Sequence, residues 1–285
     1  MTKLCYDGQR WSADYIVFGY ARKSYGPGAV WHGQTFGGTS AFALLGPDIA
    51  APGGTTHNPP QAKGPGWDQA WTHAALGGPA YHFTNDPNHI AWKRGHLLNA
   101  EWGGSGTLWS NLVALTAQAN ANHATVEGHV RTLLTRFRQF DMSNHGRNAY
   151  WYCIGYWVQA ATLPWSAGNL ADDLYSYCPN MIRVTWRVMR MTKPTGAPGT
   201  TFGSHLTATQ GHIRNAVWGT PACRSATAPD LANDGIILPG APPPVLTNSL
   251  ANQNEAGGVT HPVAPGAPAP GVAGPHDGTV EIFQN

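Results

Sequence analysis

Helical periodicity is clearest between residues 120 and 137, where apolar side chains recur every three or four positions. That spacing predicts one stripe buried against a core. The stripe consists of Val126, Val130, Leu133, Leu134 and Phe137. Asn120, Glu127 and Arg131 fall on a polar face about 90° away. We therefore predict a helix that opens at the amides Asn120 and Asn122 and presents polar groups beside its buried face.

Alternation of apolar and polar residues predicts strands elsewhere. Residues 180–191 alternate in this way, which predicts one core face and one face that carries two arginines. The apolar positions are Ile182, Val184, Trp186 and Val188, and Arg183, Thr185, Arg187 and Met189 lie between them. The aromatic run 149–160 and the apolar runs 15–18 and 41–45 are also strand-like, and a short helix is predicted around 67–76.

Two shorter strand-like runs flank a Gly-rich loop ahead of the helix. The first ends at Arg94, Gly95 and His96, and the second covers residues 111–116. With the longer strands they predict an α+β fold that has a central, mainly antiparallel sheet. The loop segment GGSG at 103–106 lacks the Lys-Ser/Thr pair of a phosphate-binding P-loop, so we interpret it as a flexible connection.

Length and composition suggest how the chain is organised. Its 285 residues suffice for one large domain or two small ones, and 35 Gly and 23 Pro predict long ordered loops. We divide it into an N-terminal strand-and-loop region at 1–79, packed on a core at 80–238, and a Pro/Ala/Gly-rich extension at 239–285. The extension is expected to be partly polyproline-like and poorly packed unless it drapes over the domain.

Charge is sparse and nearly balanced, with 17 basic and 15 acidic residues. A global field will therefore not draw in nucleic acid, and any attraction of anions must be local. The N-terminus shows no apolar segment typical of a cleavable signal, and no run approaches the about 18 apolar residues that a membrane span needs. We expect a protein that is cytoplasmic in its producer and that leaves, if at all, through a specialised secretion system.

The cysteine pattern leaves two interpretations open. Cys5, Cys153, Cys178 and Cys223 show no CxxC spacing, which argues against a zinc ribbon. Cys153 and Cys178 lie in strand-like aromatic runs that could pair. The sequence therefore supports two interpretations equally: one disulfide between them, or buried free thiols.

The segment from residue 94 to residue 131 holds the groups that phosphodiester hydrolysis needs: a base, a cation and donors for the phosphate charge. The His96 imidazole can accept a proton near neutral pH. The Asn120 amide oxygen suits Mg²⁺, a hard ion that prefers oxygen and keeps several waters. Glu127 lies two turns further on the same helical face, and Arg94 shares a strand face with His96 and could grip a phosphate.

The order of these residues resembles the DNA/RNA non-specific endonucleases of the ββα-metal (His-Me finger) superfamily. The resemblance covers residues 80–140 and rests on RGH at 94–96, a Gly-containing loop, SNL at 110–112, Asn120, and VE at 126–127. The version KRGHLLNAEWGGSG also looks like the nuclease domains of bacterial antagonistic toxins. Lys93 stands where the family usually has Asp, which bears on the orientation of the loop.

This resemblance implies a non-specific endonuclease, dependent on Mg²⁺ or another divalent cation such as Mn²⁺, that cleaves DNA and possibly RNA. The implied roles are His96 as general base, Asn120 as the single protein ligand of the ion, Glu127 as the acid that holds metal-bound water, Arg94 as a phosphate contact, and Asn111 as the residue that orients the site. Unselective cleavage would harm the producer, so family behaviour also implies an antibacterial toxin that an immunity protein inhibits.

Several of these residues have plain structural interpretations as well. Asn120 could be an ordinary helix N-cap, and Glu127 could pair with Arg131 one turn later. Arg94 could be a solvated strand residue. His123, one turn after Asn120, could be a second metal ligand, although the family pattern does not require it.

Residues outside the motif carry weaker hypotheses. Arg131, Arg183 and Arg187 are candidates for nucleic-acid contact, although a solvated strand face is the commoner role for the last two. His82 and His89 precede the motif and are expected to be structural.

Two other functions are compatible with the sequence. One is a non-catalytic binding or structural component of a secretion or contractile machine that keeps the finger as a scaffold. Mg²⁺-dependent plasmid cleavage that EDTA abolishes would separate it from an endonuclease. The other is a phosphodiesterase of small nucleotides, and a comparison of polymeric DNA with a cyclic dinucleotide would distinguish it.

Overall fold

Antiparallel strands and one long helix make up most of the fold, which we describe from a computed structural model. The structure describes residues 3–6, 9–12, 20–26, 28–31, 34–46, 93–102, 104, 106, 108–115, 117–143, 149–161, 179, 181–192, 223–236 and 276–283. The strands are β1 (Lys3–Tyr6), β2 (Gln9–Ser12), β3 (Tyr20–Tyr25), β4 (Gly28–Trp31), β5 (Gln34–Gly38), β6 (Ser40–Leu45), β7 (Lys93–His96), β8 (Leu112–Leu115), β9 (Tyr150–Ala161), β10 (Met181–Thr192), β11 (Cys223–Ser225) and β12 (Gly278–Phe283). The helices are α1 (Ala117–Ser143) and α2 (Ala228–Asn233).

The two longest strands form the centre of the main sheet. β9 and β10 pair antiparallel along their full length, from Met181 opposite Ala161 to Thr192 opposite Tyr150. Both strands were predicted from sequence, and the structure confirms them to within one residue at each end. The alternating apolar positions of β10 are buried as predicted, because they form its core face.

The ends of the chain also belong to this sheet. β6 pairs with β9 and β3 pairs with β6, while β11 and β12 both pair with β10. The run 41–45 is therefore a central strand of the sheet, as its apolar composition predicted. We expected the extension to be poorly packed unless it drapes over the domain, and residues 278–283 do pack on it. β12 pairs residue by residue with β10 and buries Val280 and Ile282.

Helix α1 covers one face of the sheet. Its predicted stripe is confirmed, since Val126, Val130, Leu133, Leu134 and Phe137 are all buried in one core cluster with residues of β9 and β10. The helix begins at Ala117, three residues before the predicted start at Asn120. Neither described helix is both long and apolar enough to cross a membrane.

Short hairpins complete the described part of the fold. β1 pairs with β2, β4 with β5, and β7 with β8, all antiparallel. The β5 strand lies against the turn that precedes β8, and a side chain on Gly38 would overlap the Ser110 carbonyl. This contact ties the N-terminal region to the hairpin that carries His96.

A cluster of polar side chains joins the first residues of β9 to the residue that follows α2. The Tyr150 and Tyr152 hydroxyls both donate to Asp234 Oδ2, each at 2.6 Å. α2 itself starts with a capping box, in which Thr227 and Asp230 bond each other's backbone N–H groups. This short helix was not predicted from sequence.

Some predictions fall outside the described residues. These are the strand at 15–18, the helix at 67–76, His82, His89, Cys178 and the segment 239–275 of the extension. Cys153 is buried in β9, but its pairing with Cys178 stays a prediction for that reason.

The packing of β12 on β10 gives a stability prediction. The Trp186 indole lies over Gly278, and a Cβ at that glycine would overlap the ring. We expect Gly278→Ala to lower the free energy of unfolding by about 1–3 kcal/mol, because the buried ring cannot move aside without strain. Urea denaturation followed by circular dichroism measures the change.

Gly128 provides the matched control. It lies on the exposed side of α1, and an added Cβ would meet nothing within 4 Å. Gly128→Ala should raise stability by up to about 1 kcal/mol, since alanine favours helix and glycine does not. A Gly278→Ala protein as stable as the wild type would contradict the described contact between β12 and β10.

Candidate functional site

His96 is the last residue of β7, and the hydrogen bonds between β7 and β8 hold its backbone in place. The Asn111 side chain adds further hydrogen bonds beyond the end of the strand. His96 lies opposite Leu112, and beyond it the Leu97 N–H donates to the Asn111 carbonyl at 2.8 Å. The Asn111 side chain then bonds Leu98 twice. Its Oδ1 accepts from the Leu98 N–H at 2.9 Å, and its Nδ2 donates to the Leu98 carbonyl at 3.0 Å. Asn111 is fully buried, so it braces the chain immediately after His96.

Helix α1 lies close to the hairpin at Gly95. A Cβ there would overlap the Leu115 side chain and would lie 3.3 Å from Asn120 Oδ1. A larger residue at this position would force the buried Leu115 side chain to move, because helix and strand meet across it. The consequence is that the Asn120 amide oxygen lies against the residue next to His96, whose ring is partly buried.

Asn120 does not cap the helix. Because α1 begins at Ala117, Asn120 lies within the first helical turn, and the N-cap interpretation is wrong. Its side chain is partly buried and faces the hairpin at Gly95. The positive end of the helix dipole lies in the same turn and favours anionic groups nearby.

Glu127 is buried rather than presented on an open polar face. Only 6% of its surface is exposed, and its Oε2 accepts a hydrogen bond from Asn99 Nδ2 at 2.6 Å. Burial raises the pKa of the Glu127 carboxyl to about 7, which the Asn99 hydrogen bond and the charge of Arg131 only partly oppose. Repulsion from Glu101 raises the pKa further. The carboxyl group therefore titrates near neutral pH.

His123 connects the helix to the main sheet. Its Nε2 lies 2.8 Å from the Tyr156 hydroxyl in β9 and 3.9 Å from Glu127 Oε1. Burial, followed by repulsion from His96, lowers the pKa of His123 to about 4, so the ring is neutral at pH 7. Tyr156 is also fully buried, and burial raises its pKa well above the usual value, with a further increase from the nearby Glu127.

Arg131 forms an ion pair with Glu101 rather than with Glu127. Both side chains are nearly half exposed, so the pair contributes little to stability. It nevertheless links α1 to the turn at 100–102, which follows Asn99. The segment between β7 and β8 is therefore attached to the helix at two successive points.

The loop between β7 and β8 is held in place at Gly104, within the GGSG segment for which we predicted flexibility. Gly104 is buried, its N–H donates to the Asn99 carbonyl at 2.9 Å, and a side chain there would overlap Leu98. The prediction of a flexible connection is wrong at this residue. The same hydrogen bond holds the backbone of Asn99, whose side chain bonds Glu127.

Of the remaining predicted site residues, Arg183 and Arg187 lie outside this cluster. The Arg94 backbone lies opposite Ala114 in the hairpin, and its side chain lies outside the described part of the chain. Arg183 and Arg187 are exposed on the sheet face opposite to Tyr156 and α1, because they alternate with Trp186 along β10. Arg183 donates to Glu281 Oε1 at 2.8 and 2.6 Å.

Sequence reasoning missed Asn99 and Tyr156. Asn99 follows His96 by only three residues, and its closeness to the motif was the available signal. Tyr156 carried no such signal, since a tyrosine in an aromatic strand is typical of core. Its role in the cluster arises from the pairing of β9 with the strands around it and from the packing of α1 on that sheet.

Within the described residues, no three His, Cys, Asp or Glu side chains are grouped so that they could hold a metal ion. Comparisons with protein-family models, with curated proteins and with solved structures give no match for this chain.

The buried Glu127 carboxyl predicts a stability cost that depends on pH. The pKa of Glu127 in the folded state lies above the ordinary 4.5, so the protein has its full stability below about pH 4.5, where the carboxyl group is protonated. Stability falls as the pH rises to about 7 and the buried group ionises. We expect Glu127→Gln to be more stable than the wild type at pH 8 by about 1–3 kcal/mol, and about equally stable at pH 4. Urea denaturation at both pH values, in EDTA, measures the difference.

Glu101→Gln is the control for this prediction. Glu101 is nearly half exposed and belongs to the same polar cluster, so its replacement should change stability by less than about 0.5 kcal/mol at either pH. If Glu127→Gln gave no gain at pH 8, the carboxylate would not be destabilising in its buried position.

Proposed function

We propose that this chain is a metal-dependent, non-specific endonuclease in which β7, β8 and α1 form a ββα-metal finger. One observation carries the proposal: the Asn120 amide oxygen lies against Gly95, next to His96. The Asn120 oxygen, a donor for a hard cation, thus lies close to the backbone position that precedes His96, the proposed proton acceptor. The order of the elements, two antiparallel strands followed by a helix, supports the same assignment.

The donor chemistry around Asn120 fits a hydrated Mg²⁺ or Mn²⁺ ion. The Asn120 side chain offers a neutral oxygen, and ions of this kind take oxygen ligands while keeping several waters. When bound, such an ion supplies positive charge that offsets the charge on the phosphate and on the departing 3′ oxygen.

His96 would act as the base in this reaction. Its imidazole would take a proton from the water that attacks the phosphorus in line, so that the 3′ oxygen leaves and a 5′-phosphate remains. The base must be held in place for this step. Asn111 provides the restraint, because it bonds the backbone of both residues that follow His96.

Glu127 and the arginines would assist. An ionised Glu127 can accept hydrogen bonds from water near the site, and its pKa of about 7 predicts a rate that rises as the pH passes through neutrality. Arg94 is proposed to contact phosphate, as its place beside His96 on β7 suggests. Arg131 is a weaker candidate, and Arg183 and Arg187 could contact only nucleic acid that reaches the opposite sheet face.

DNA is the proposed substrate, and RNA is a second one. The net charge of +2 predicts modest affinity that rests on a few arginines and is sensitive to salt. We further propose that the chain acts as an antibacterial toxin, exported by a specialised system and restrained in the producer by an immunity protein. This last step rests on the likeness to toxin-associated nuclease domains.

The test is cleavage of supercoiled plasmid by the full chain. We expect cleavage with Mg²⁺ and none in EDTA. His96→Ala should lower the rate by about 10²–10⁴-fold, because it removes the base, while the folded signal and Mg²⁺ binding stay nearly intact. Asn120→Ala should lower both the rate and the affinity for Mg²⁺, measured by titration of the rate against the ion.

Asn233→Ala controls for the loss of an amide. Asn233 is exposed at the end of α2, outside the cluster, so its replacement should leave cleavage unchanged. Full activity of purified His96→Ala protein would overturn the assignment of the base. Hydrolysis of a cyclic dinucleotide without cleavage of plasmid would instead identify a small-nucleotide phosphodiesterase.

A further inference from the structure

Four buried or half-buried polar side chains follow one another from the loop after β7 to the main sheet. Asn99 Nδ2 donates to Glu127 Oε2 at 2.6 Å, Glu127 Oε1 lies 3.9 Å from His123 Nε2, and that nitrogen lies 2.8 Å from the Tyr156 hydroxyl. These side chains join the loop after β7, the helix α1 and the sheet strand β9. The roles proposed above use Glu127 alone among these four residues.

We propose that Tyr156 is a positioning residue of this site, which holds the His123 ring in place and thereby sets the orientation and the charge of the Glu127 carboxyl group. This inference rests on the proposed nuclease function for its consequence in catalysis. Its physical part, the coupling of Tyr156 to Glu127 through His123, is independent of the substrate.

The distances show how the hydroxyl acts. Glu127 Oε2 has a short hydrogen bond to Asn99, whereas the 3.9 Å between Oε1 and His123 Nε2 is too long for one. The same imidazole nitrogen is within hydrogen-bond distance of the Tyr156 hydroxyl. A buried hydroxyl is costly without a partner, so Tyr156 keeps Nε2 directed toward the sheet and away from the carboxyl group.

Removal of the hydroxyl would change the partner of His123. Its buried Nε2 would lose the bond to Tyr156, and Glu127 Oε1 would be the acceptor toward which an N–H at that position could turn. A hydrogen bond to the ionised carboxylate stabilises the charged form. Glu127 would then ionise at lower pH, and its carboxylate would be drawn away from Asn99.

Other charged groups also act on this pair and must be considered in any pH dependence. Glu127 is faced by Glu101 from the loop and by Arg131 from its own helix, and His123 is faced by His96 from β7. Because His123 has a pKa of about 4 and Glu127 of about 7, the carboxyl group is the one that titrates near neutral pH.

The experiment measures the Glu127 carboxyl group directly. The chain has only four glutamates, Glu101, Glu127, Glu255 and Glu281, so ¹³C NMR of glutamate-labelled full-length protein gives few signals, and Glu127→Gln assigns the one of interest. We expect Tyr156→Phe to lower the titration midpoint of Glu127 by about half a pH unit or more. The acidic limb of the pH–rate profile for plasmid cleavage should shift in the same direction, with a loss of rate at pH 8.

Tyr152→Phe is the matched control. Tyr152 is a buried tyrosine near the start of the same strand, and its hydroxyl donates to Asp234 at 2.6 Å, away from His123 and Glu127. This variant should leave the Glu127 midpoint and the shape of the pH–rate profile unchanged. An equal shift in both variants would mean a general effect of weakened packing and would overturn the role of Tyr156.

Two further results separate the possible failures. An unchanged Glu127 midpoint in folded Tyr156→Phe overturns the positioning role, whatever the chain cleaves. Absence of Mg²⁺-dependent cleavage by the wild type overturns the proposed function and is read from the plasmid assay alone. If Tyr156→Phe does not fold, His123→Gln replaces it, because the glutamine amide can donate to Glu127 and should also lower the midpoint.

Discussion

The close approach of helix α1 to strand β7 at Gly95 is the constraint on which the site depends. A Cβ at that point would overlap the buried Leu115 side chain and would lie 3.3 Å from Asn120 Oδ1. The contact sets the distance between the helix and the hairpin at this point. Asn111 then fixes the chain that leaves β7, because a buried amide bonded in both directions allows one loop position.

The electrostatics of the cluster follow from burial without full compensation. A carboxylate taken out of water is unfavourable unless it is paired. Among the described residues, Glu127 accepts a hydrogen bond from Asn99, whereas Arg131 pairs with Glu101 instead. The raised pKa of Glu127 and the lowered pKa of His123 have the same cause. Replacement of the carboxyl group by an uncharged residue is therefore expected to raise stability above about pH 7.

Much of the fold was predictable because its signals are local. Alternation along β10 and helical spacing along α1 each depend on one element and the face it buries, and both predictions are confirmed. The start of α1 was placed too late, since polar residues such as Asn120 occur inside a first turn as well as before it. The place of β12 in the sheet was missed, because strand partners far apart along the chain leave no periodic trace.

For the candidate site, the order of residues and the resemblance it carries pointed to His96, Asn111, Asn120 and Glu127, and the structure places them on the β7–β8 segment and the helix that follows it. Their chemical environment was not accessible in that way. The pKa of Glu127 is raised mainly by burial and is opposed by the hydrogen bond from Asn99 across a loop. The pKa of His123 depends mainly on burial under a sheet strand from another part of the chain. Residue type and spacing can specify which groups are present, whereas solvent exclusion and the partners of each polar atom arise from packing between distant segments.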